Sequence, residues 1–344
     1  MSVTEPLASL TLQVSVEKWP LKAPFRITGY TFVAVDVVVA TISCGGYVGR
    51  GEAAGVYYRG ETAASMTTQI EAVRSDIEAG IDREALRRVL PAGGARNAVD
   101  CALWELEAKR ERTTARQLAG VDQPKALMTT FTLGADDPAA MAQGARGYAD
   151  ARAIKVKLTG EIDLDRERVR AIRAARPDVW LGVDANQGFA KDDLDPLIEF
   201  LSAYRVSLLE QPLPRGREAD LEGFRSPIPI AADESALGLD DVPGLVGRFD
   251  IINIKLDKCG GLTEALLIAE AARARGLGVM VGNMVGTSLA MAPAFIVGQQ
   301  CDVVDLDGPT FLREDRQPSV EYRDGMIWCP DEVWGSRAAV GATV

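Results

Sequence analysis

Charged side chains recur at regular intervals in the second part of this sequence of 344 residues. Each ends a short apolar run that we predict to be a β-strand, and the series comprises Lys157, Asp184, Glu210, Asp233, Lys255 and Asp305, with the polar Asn283 before the last. Successive members are 22 to 28 residues apart, which is room for one strand and one helix. Active sites of α/β barrels lie at the carboxyl ends of the strands. The spacing therefore predicts that these side chains meet in one site.

Asp184, Glu210 and Asp233 end three consecutive strands, so we expect their carboxylates to converge on one sector of the site. Three bare carboxylates would repel one another and raise each other's pKa, and a hard divalent cation removes that conflict. Ligation by oxygen alone favours Mg²⁺, or Mn²⁺, over zinc. Asn186 and Glu234, which lie close to the first and third carboxylates in the sequence, are expected to support the ligands. The alternative is that the acidic residues form separate ion pairs or helix N-caps.

Lys155 and Lys157 are two residues apart, which places both ammonium groups on one strand face, inside the barrel. Neighbouring cations and a metal ion lower a lysine's pKa, and we expect this to make a usable base near neutral pH. Lys255 ends the sixth strand, opposite the second strand in a ring of eight. Lysines on either side of a metal-bound substrate suit removal of a proton from one face of a carbon atom and its return to the other. Ordinary salt bridges are the alternative.

Asp305 and Asp307 form a second acidic pair, and their spacing places both on one face of the last strand. Because the metal does not need them, we expect this pair to bind a cation such as a substrate ammonium group. The alternative is that they only end the strand before Gly308 and Pro309.

The composition excludes several other chemistries. The chain has no histidine, which rules out a Ser-His-Asp or Cys-His pair, a His-ligated zinc and a His general base. With 38 Lys+Arg against 49 Asp+Glu, the net charge of −11 argues against a nucleic-acid partner. Five widely spaced cysteines predict reduced thiols in a cytoplasmic protein. We recognise no signal peptide and no apolar run of about 18 residues for a membrane span.

The elements that must position these residues fall into two parts. Residues 1–120 are predicted to form an α+β unit, with strands at 11–19 and 32–43 joined by a loop at 22–31. The glycine-rich stretch 45–55 is predicted to be a turn, because it lacks the order required of a dinucleotide-binding loop. Helical patterns follow at 61–80, 82–90 and 95–112.

From about residue 126, eight short apolar runs alternate with amphipathic stretches. The runs are 128–134, 153–159, 180–186, 206–212, 229–235, 250–256, 278–284 and 302–308. Continuous apolar runs are typical of parallel strands that are covered on both faces, so the pattern predicts a (β/α)₈-type barrel. The stretch 258–265 is predicted to contain a tight turn, and the strand-like 320–335 to return to the N-terminal unit.

Several motifs resemble those of the enolase superfamily, in particular its muconate-cycloisomerase-like branch. They are KVK (155–157), VDAN (183–186), EQP (210–212), ADES (232–235), NIKLDKCGG (253–261) and RNAVDCALWELEAKR (96–110). The resemblance covers almost the whole chain and implies an α+β capping domain on a (β/α)₇β barrel of the TIM type. The implied division is a capping domain at 1–120, a barrel at 121–318 and a tail at 319–344 that returns to the capping domain.

The resemblance also implies roles for individual residues. Lys157 and Lys255 are then the two bases, Lys155 tunes Lys157, and the three carboxylates hold a Mg²⁺ that stabilises an enediolate. DLDGP (305–309) is similar to the segment with which dipeptide epimerases hold the substrate's α-ammonium, and VLPAG (89–93) is similar to the L-Ala-D/L-Glu epimerases. The implied function is inversion of the α-carbon of a dipeptide's C-terminal residue, by proton transfer between two lysines.

The substrate of this implied reaction stays open, because the early loop at 24–32 departs from that of the L-Ala-D/L-Glu epimerases. Arg26, Tyr30 and Asn283 are the expected substrate contacts besides the aspartate pair, and Arg59 is a second residue that would read an acidic side chain. The alternatives are N-acylamino-acid racemisation, o-succinylbenzoate synthesis, cycloisomerisation and a catalytically silent metal-binding scaffold. Association into a homo-oligomer also stays open.

Overall fold

The computed structural model of the protein describes residues 10–27 and 30–337. The first nine residues, on which the prediction about a signal peptide rests, therefore lie outside the described residues. So do Gly29, in the centre of the predicted early loop, and residues 338–344 of the predicted tail.

Three antiparallel strands form the sheet of the capping domain: β1 (Thr11–Ile27), β2 (Tyr30–Cys44) and β3 (Tyr47–Ala53). The predicted loop at 22–31 is wrong for most of its length, because Phe25 pairs with Phe32 and Arg26 with Thr31. The pairing shifts register between Pro20 and Phe25, and it then resumes along β-branched and aromatic residues that favour strands. The result is one long hairpin.

Five α-helices follow this sheet in the described part of the capping domain. They are α1 (Ala63–Ala72), α2 (Arg74–Glu78), α3 (Arg83–Val89), α4 (Gly94–Arg110) and α5 (Ala115–Leu118). The predicted single helix at 61–80 is divided at Val73, whose N–H bonds to the carbonyl of Ile70, three residues back. A capping box between Thr62 and Ser65 begins the first of the two helices.

The stretch predicted to be a glycine-rich turn is mostly strand β3, and its glycines serve packing. A Cβ on Gly49 would lie 2.0 Å from the carbonyl oxygen of Ala102, and one on Gly51 would lie 2.1 Å from that of Ala98. Both carbonyls belong to α4, so only glycine lets this helix lie directly on the strand.

Eight parallel strands form the barrel, in an unbroken spatial order that follows the chain. After the two-residue strand β4 (Leu127–Met128), its elements are β5 (Thr130–Leu133), α6 (Pro138–Gly147), β6 (Ala153–Lys157), α7 (Ile162–Ala175), β7 (Trp180–Asp184), α8 (Leu194–Ala203), β8 (Leu208–Glu210), β9 (Ile230–Ala232), α9 (Val242–Leu245), β10 (Ile251–Ile254), α10 (Leu256–Cys259), α11 (Leu262–Arg273), β11 (Gly278–Val281), α12 (Ser288–Gly298) and β12 (Val303–Val304). This confirms the predicted barrel with a capping domain. Between β8 and β9 the crossover contains a short 3₁₀ helix, Glu218–Leu221.

The first and last strands of the series are joined by hydrogen bonds that involve side chains. The Thr130 hydroxyl donates to the Asp305 carboxylate, the amide of Thr132 donates to Asp307 at 2.6 Å, and the amide of Leu306 donates to the Thr129 hydroxyl at 2.9 Å. These bonds hold Asp305 and Asp307 next to the start of the barrel.

The C-terminal strands β13 (Glu321–Arg323) and β14 (Met326–Trp328) form a small antiparallel sheet with β4. Beyond them the chain reaches the capping domain, where the indole N–H of Trp334 donates to the carbonyl of Arg50 at 2.7 Å. The amide of Gly335 donates to Glu105 at 3.2 Å. The tail therefore contacts both parts of the molecule.

The buried residues form two main hydrophobic clusters, and strand β2 contributes to both. Val37 and Val39 pack with the barrel, whereas Val38, Ala40 and Ile42 point to the helices of the capping domain. The alternation of a strand's side chains thus attaches the capping sheet to the barrel. Within the described part of the chain, no helix is long and apolar enough to cross a membrane.

Candidate active site

Three buried carboxylates meet at the carboxyl ends of consecutive barrel strands. Asp184 ends β7 and pairs in register with Glu210, which ends β8, and Asp233 directly follows β9. All three are at most 1% exposed, and one oxygen from each lies within 4.8 Å of the other two. Parallel strands bring these residues together because their ends lie at the same edge of the sheet.

The predicted lysines surround this trio. The Lys155 ammonium lies 2.7 Å from Glu210, 3.3 Å from Asp184 and 2.8 Å from Asp305. Lys157 donates to Asp184 at 2.6 Å. Lys255, which follows β10 on the other side of the ring, donates to Asp233 at 2.7 Å.

A fourth lysine at the site is absent from the sequence-based prediction. Lys258 lies in the short helix α10 and is completely buried. Its ammonium donates to the Asp233 carboxylate at 2.5 Å, to the Asp233 carbonyl at 2.6 Å and to the Asn253 carbonyl at 2.9 Å. The predicted tight turn follows at Gly260 and Gly261, both with positive φ, where a Cβ would meet Arg96 and Asp100. The only signal for Lys258 was its position three residues after Lys255.

The electrostatics of the trio differ from one carboxylate to the next. Burial raises the pKa of Glu210 to about 7, and the neighbouring Asp184 carboxylate adds to this effect. Burial also acts to raise the pKa of Asp233, but the ammonium groups of Lys255 and Lys258 outweigh it and hold that pKa well below the usual range. The site therefore contains carboxylates that differ in their tendency to ionise at neutral pH.

The carboxylates of the site control the pKa values of Lys155 and Lys255. Burial alone would lower the pKa of Lys155, but Asp305, Glu210 and Asp184 raise it well above its ordinary value. The pKa of Lys255 is likewise raised, because Asp233 outweighs burial. Among the protein's own groups, the carboxylates therefore dominate the local field at Lys155 and Lys255. The lowered pKa expected of a base beside a bound metal ion stays a prediction.

The two aspartates near the end of the barrel lie just beyond β12 and are almost completely buried. Asp305 forms the ion pair with Lys155 described above, so its charge is already compensated. We had expected both aspartates to be available to a substrate cation. Asp307 accepts from the Thr132 amide, and burial together with the charge of Asp305 raises its pKa to about 7. The amide group of Asn283 donates to the carbonyl of Asp305. Asn283 and the two aspartates line one cavity between the barrel and the capping domain.

Asn186 and Glu234 lie beside the carboxylate trio. The backbone N–H of Asn186 donates to Asp184 at 3.0 Å, and its φ of 43° turns the chain away from the strand. The Oδ1 atom of Asn186 and the Oε2 atom of Glu234 are buried and have no hydrogen-bond partner. Burial and the charges of Asp233 and Asp184 raise the pKa of Glu234 to about 8.

A cavity between the barrel and the capping domain contains the reactive groups. The barrel contributes Lys155, Lys157, Lys255, Asn283, Asp305 and Asp307 among others, and the capping domain contributes Leu21, Phe25, Phe32, Val35, Ala54, Gly55 and Tyr57. Arg26 and Tyr30 are described but are not among the lining residues. Arg26 instead pairs with Asp136 at 3.3 Å with about half of both side chains exposed, and Arg59 is exposed.

The trio fits a hard divalent cation. Three carboxylate oxygens lie within reach of one another, none of the ligands is nitrogen or sulfur, and all are buried. Such an oxygen-only donor set suits Mg²⁺ or Mn²⁺. Asp184, Glu210 and Asp233 are the residues that would hold the ion.

An α+β cap on a barrel, with acidic residues at the ends of its central strands and lysines on both sides, is the architecture of enolase-type enzymes. The chain belongs to the enolase superfamily: it matches the family described as enolase C-terminal domain-like over residues 139–333, and the N-terminal domain of mandelate racemase / muconate lactonizing enzyme over residues 9–120.

Two characterised relatives are similar over most of their length. L-Ala-D/L-Glu epimerase of Escherichia coli (strain K12) is 41% identical over 319 residues, which cover 92% of this chain and 99% of that protein. N-acetyl-D-glutamate racemase of Pseudoalteromonas sp is 40% identical over 269 residues, which cover 78% of this chain and 84% of that protein.

Solved structures of similar proteins also belong to dipeptide epimerases or to proteins described as homologous to them. An enolase family member from Agrobacterium tumefaciens, described with homology to dipeptide epimerases and with bound sodium and L-Ala-L-Glu, has a TM-score of 0.90 and 39% identity, with 95% and 100% of the two chains covered. The dipeptide epimerase from Methylococcus capsulatus, complexed with Mg and L-Arg-D-Lys, has a TM-score of 0.87 and 30% identity, with 93% and 97% covered.

Proposed function

We propose that the protein is a Mg²⁺-dependent dipeptide epimerase, an isomerase that inverts the α-carbon of the C-terminal residue of a dipeptide. The observation that carries the proposal is the placement of Lys157 and Lys255. They follow the second and sixth of eight barrel strands and line one cavity, with the carboxylate trio at the ends of the strands between them. The relatives that act on dipeptides and on an N-acetylated amino acid support the reaction type.

The proton moves between the two lysines. One lysine, in its neutral form, takes the α-proton and becomes an ammonium group, and the opposite ammonium returns a proton to the other face of the same carbon. No atom is gained or lost, and the two lysines exchange roles for the reverse direction. When bound by the trio, Mg²⁺ supplies Lewis-acid stabilisation of the negative charge that develops on the substrate carboxylate.

Lys155 would contribute a fixed positive charge, since three carboxylates favour its ammonium form. It lies two residues before Lys157 on the same strand face, and both contact Asp184. This shared carboxylate and the common strand face support the proposal that Lys155 tunes Lys157.

Asp307 would bind the ammonium group of the dipeptide. Its carboxyl is buried in the cavity wall, and no lysine or arginine of the described chain forms an ion pair with it, whereas Asp305 already pairs with Lys155. A substrate ammonium would supply the missing positive charge and hold the ionised form of Asp307. Asn283, which donates to the Asp305 carbonyl, would help to orient this end of the cavity.

N-acylamino-acid racemisation is the second candidate, because one relative acts on N-acetyl-D-glutamate. An N-acylated substrate has no ammonium group to pair with Asp307, so the buried aspartate favours a dipeptide. We also propose that the protein has no nucleic-acid partner, which the net charge of −11 supports. A cytoplasmic location is proposed from its widely spaced cysteines, all five of which are free.

The test is incubation of the Mg²⁺-loaded enzyme in D₂O with a dipeptide library and, separately, with N-acetyl amino acids. Deuterium incorporation at the α-carbon, followed by mass spectrometry, is expected for dipeptides. Incorporation into N-acetyl amino acids alone would establish the second candidate. Incorporation into neither class would contradict both candidates and leave o-succinylbenzoate synthesis, cycloisomerisation and the silent scaffold.

A further inference from the structure

The side of the cavity that the capping domain forms is apolar. Leu21, Phe25, Phe32 and Tyr57 are its largest described members, and the barrel's Phe311 lies against it. The cations among the described lining residues are Lys155, Lys157 and Lys255. Each of these is already within 2.8 Å of a carboxylate of the barrel.

Strand geometry explains why Arg26 does not join this wall. Phe25 and Phe32 are direct partners across the hairpin, so their side chains lie on the same face and both reach the cavity. Arg26 and Thr31 form the next pair and therefore point to the opposite face.

Arg26 also has a role in attaching the hairpin to the barrel. Its carbonyl accepts from the Ala135 amide at 3.2 Å, and its guanidinium pairs with Asp136. Both contacts are made with the segment that follows β5. To reach the cavity, the Arg26 side chain would have to break this ion pair and cross to the other face of its strand.

Phe25 and Tyr57 lie towards two different ends of the cavity, and Phe32 lies between them. Phe25 contacts Phe311 with ring centroids 4.6 Å apart, and its ring lies against Gly134, which follows the β5 strand whose Thr132 holds Asp307. This is the end at which the substrate ammonium would bind.

At the other end, Tyr57 lies near the carboxylate trio. Tyr57 lines the cavity together with Lys157 and Lys255, the two lysines on either side of the trio. Phe32 packs against Tyr57 with ring centroids 5.3 Å apart, and Tyr30 completes the cluster at 4.7 Å from Tyr57. The side chain of the residue undergoing inversion would lie beside this cluster, because its α-carbon must lie between the two lysines.

We infer that the enzyme prefers dipeptides whose C-terminal residue has an apolar or aromatic side chain, and that it discriminates against an acidic one. The inference rests on the proposed function. An acidic side chain beside Phe32 and Tyr57 would lose its hydration without a free cation to replace it. A leucine or phenylalanine side chain would instead bury apolar surface against the aromatic rings. In this respect the enzyme would differ from the similar L-Ala-D/L-Glu epimerase.

The experiment compares kcat/KM for L-Ala-L-Leu, L-Ala-L-Phe and L-Ala-L-Glu with the Mg²⁺-loaded enzyme, by deuterium incorporation in D₂O. We expect the two apolar dipeptides to exceed L-Ala-L-Glu by about 100-fold, the ratio expected for burying an unpaired charge. A preference for L-Ala-L-Glu would overturn the inference and leave the proposed function intact. Absence of exchange with every dipeptide would instead overturn the proposed function.

Two arginine substitutions on one strand provide the matched test. Phe32→Arg places a cation on the cavity face, and we expect it to shift the ratio of the kcat/KM values towards L-Ala-L-Glu by at least about tenfold. Thr31→Arg adds the same charge on the opposite face and should leave the ratio unchanged. Equal shifts in both variants would show that only the overall charge matters, and would contradict the assignment of the wall. Loss of L-Ala-L-Glu turnover in Arg26→Ala would also contradict it.

Discussion

The barrel side and the capping side of the cavity are built from opposite kinds of residues. On the barrel side, Lys155, Lys157 and Lys255 are ion-paired with buried carboxylates. On the capping side, the described lining residues are aliphatic, aromatic or glycine. The difference fits the two proposals made above, that lysines of the barrel transfer the proton and that the capping side contacts the substrate side chain.

The two sides also differ in how their residues are held. The two bases and the three carboxylates of the trio each lie at or directly after the end of a separate parallel strand. Neighbouring strands fix their positions through register, as for Lys157, Asp184 and Glu210. Phe25 and Phe32 of the wall depend on a single hairpin, on which a one-residue change of register would exchange Phe25 for Arg26 in the cavity.

The largest effect is expected when a base is removed from the barrel side. Lys157→Ala and Lys255→Ala should each lower epimerisation by about 10⁴-fold on every substrate, because general acid–base catalysis is lost on one face. Each variant should still exchange the α-proton of one stereoisomer with D₂O, and the two variants should act on opposite stereoisomers. The exposed Lys191→Ala is the control, and full activity of either site variant would disprove the two-base scheme.

Loss of the metal site should have the next largest effect. EDTA should abolish exchange and Mg²⁺ should restore it, since the trio is the only group of three such ligands found among the described residues. In thermal denaturation, Mg²⁺ at 100 times its Kd should stabilise the folded protein by about 2.7 kcal/mol. Glu210→Gln should reduce this stabilisation, whereas the exposed Glu161→Gln should not. An equal Mg²⁺ response in both variants would argue against the assigned ligands.

Removal of the Lys258 ammonium group tests whether it holds Asp233 in place for metal binding. Because its ammonium contacts both the carboxylate and the carbonyl of Asp233, Lys258→Met should weaken Mg²⁺ binding by about 10–100-fold in calorimetry. Lys258→Arg should recover part of the affinity. A lower melting temperature of the metal-free protein with an unchanged Kd would mean that Lys258 serves stability alone.

Asp257, a barrel residue, forms hydrogen bonds to the capping domain. Its substitution should have the smallest effect on catalysis. Its Oδ1 atom accepts from the amides of Ala54 and Gly55 in the capping domain, both at 3.0 Å, and burial raises its pKa to about 7. A carboxyl whose pKa is higher in the folded state favours folding less as it ionises, so its contribution to stability falls as the pH rises from about 4 to 7.

Asp257→Asn keeps an acceptor for both amides and removes the charge. At pH 8 the variant should therefore be more stable than the parent by roughly 2–4 kcal/mol, and the difference should vanish near pH 4. Urea denaturation at several pH values measures it. A variant that is less stable at pH 8 would show that the charge itself holds the capping domain in place.

The barrel side was predictable from the sequence because its chemistry depends on one residue at the end of each strand. The intervals between Lys157, Asp184, Glu210 and Asp233 are those of successive strand–helix units, and three acidic groups in register require a cation or a lysine. Lys258 was missed because its approach to Asp233 depends on a four-residue helix that no sequence period indicates.

The capping side of the cavity was harder to predict, because the amino-acid composition of a hairpin does not determine which of its residues pair. Phe25 and Arg26 are adjacent in the sequence, and only the pairing of Phe25 with Phe32 decides which of them faces the cavity. Strand β3 was missed for a related reason, since its glycines resemble turn residues until α4 is seen to lie on them.

The register of the hairpin from Phe25 to Phe32 has a consequence for how such an enzyme diversifies. A hairpin that lies outside the main cores of both domains accepts substitutions at little cost to folding. Mutations there can therefore accumulate and alter substrate range while the inherited proton-transfer chemistry persists. Natural selection can therefore act separately on substrate range and on proton-transfer chemistry. Homologues with the same lysines and carboxylates need not act on the same substrates.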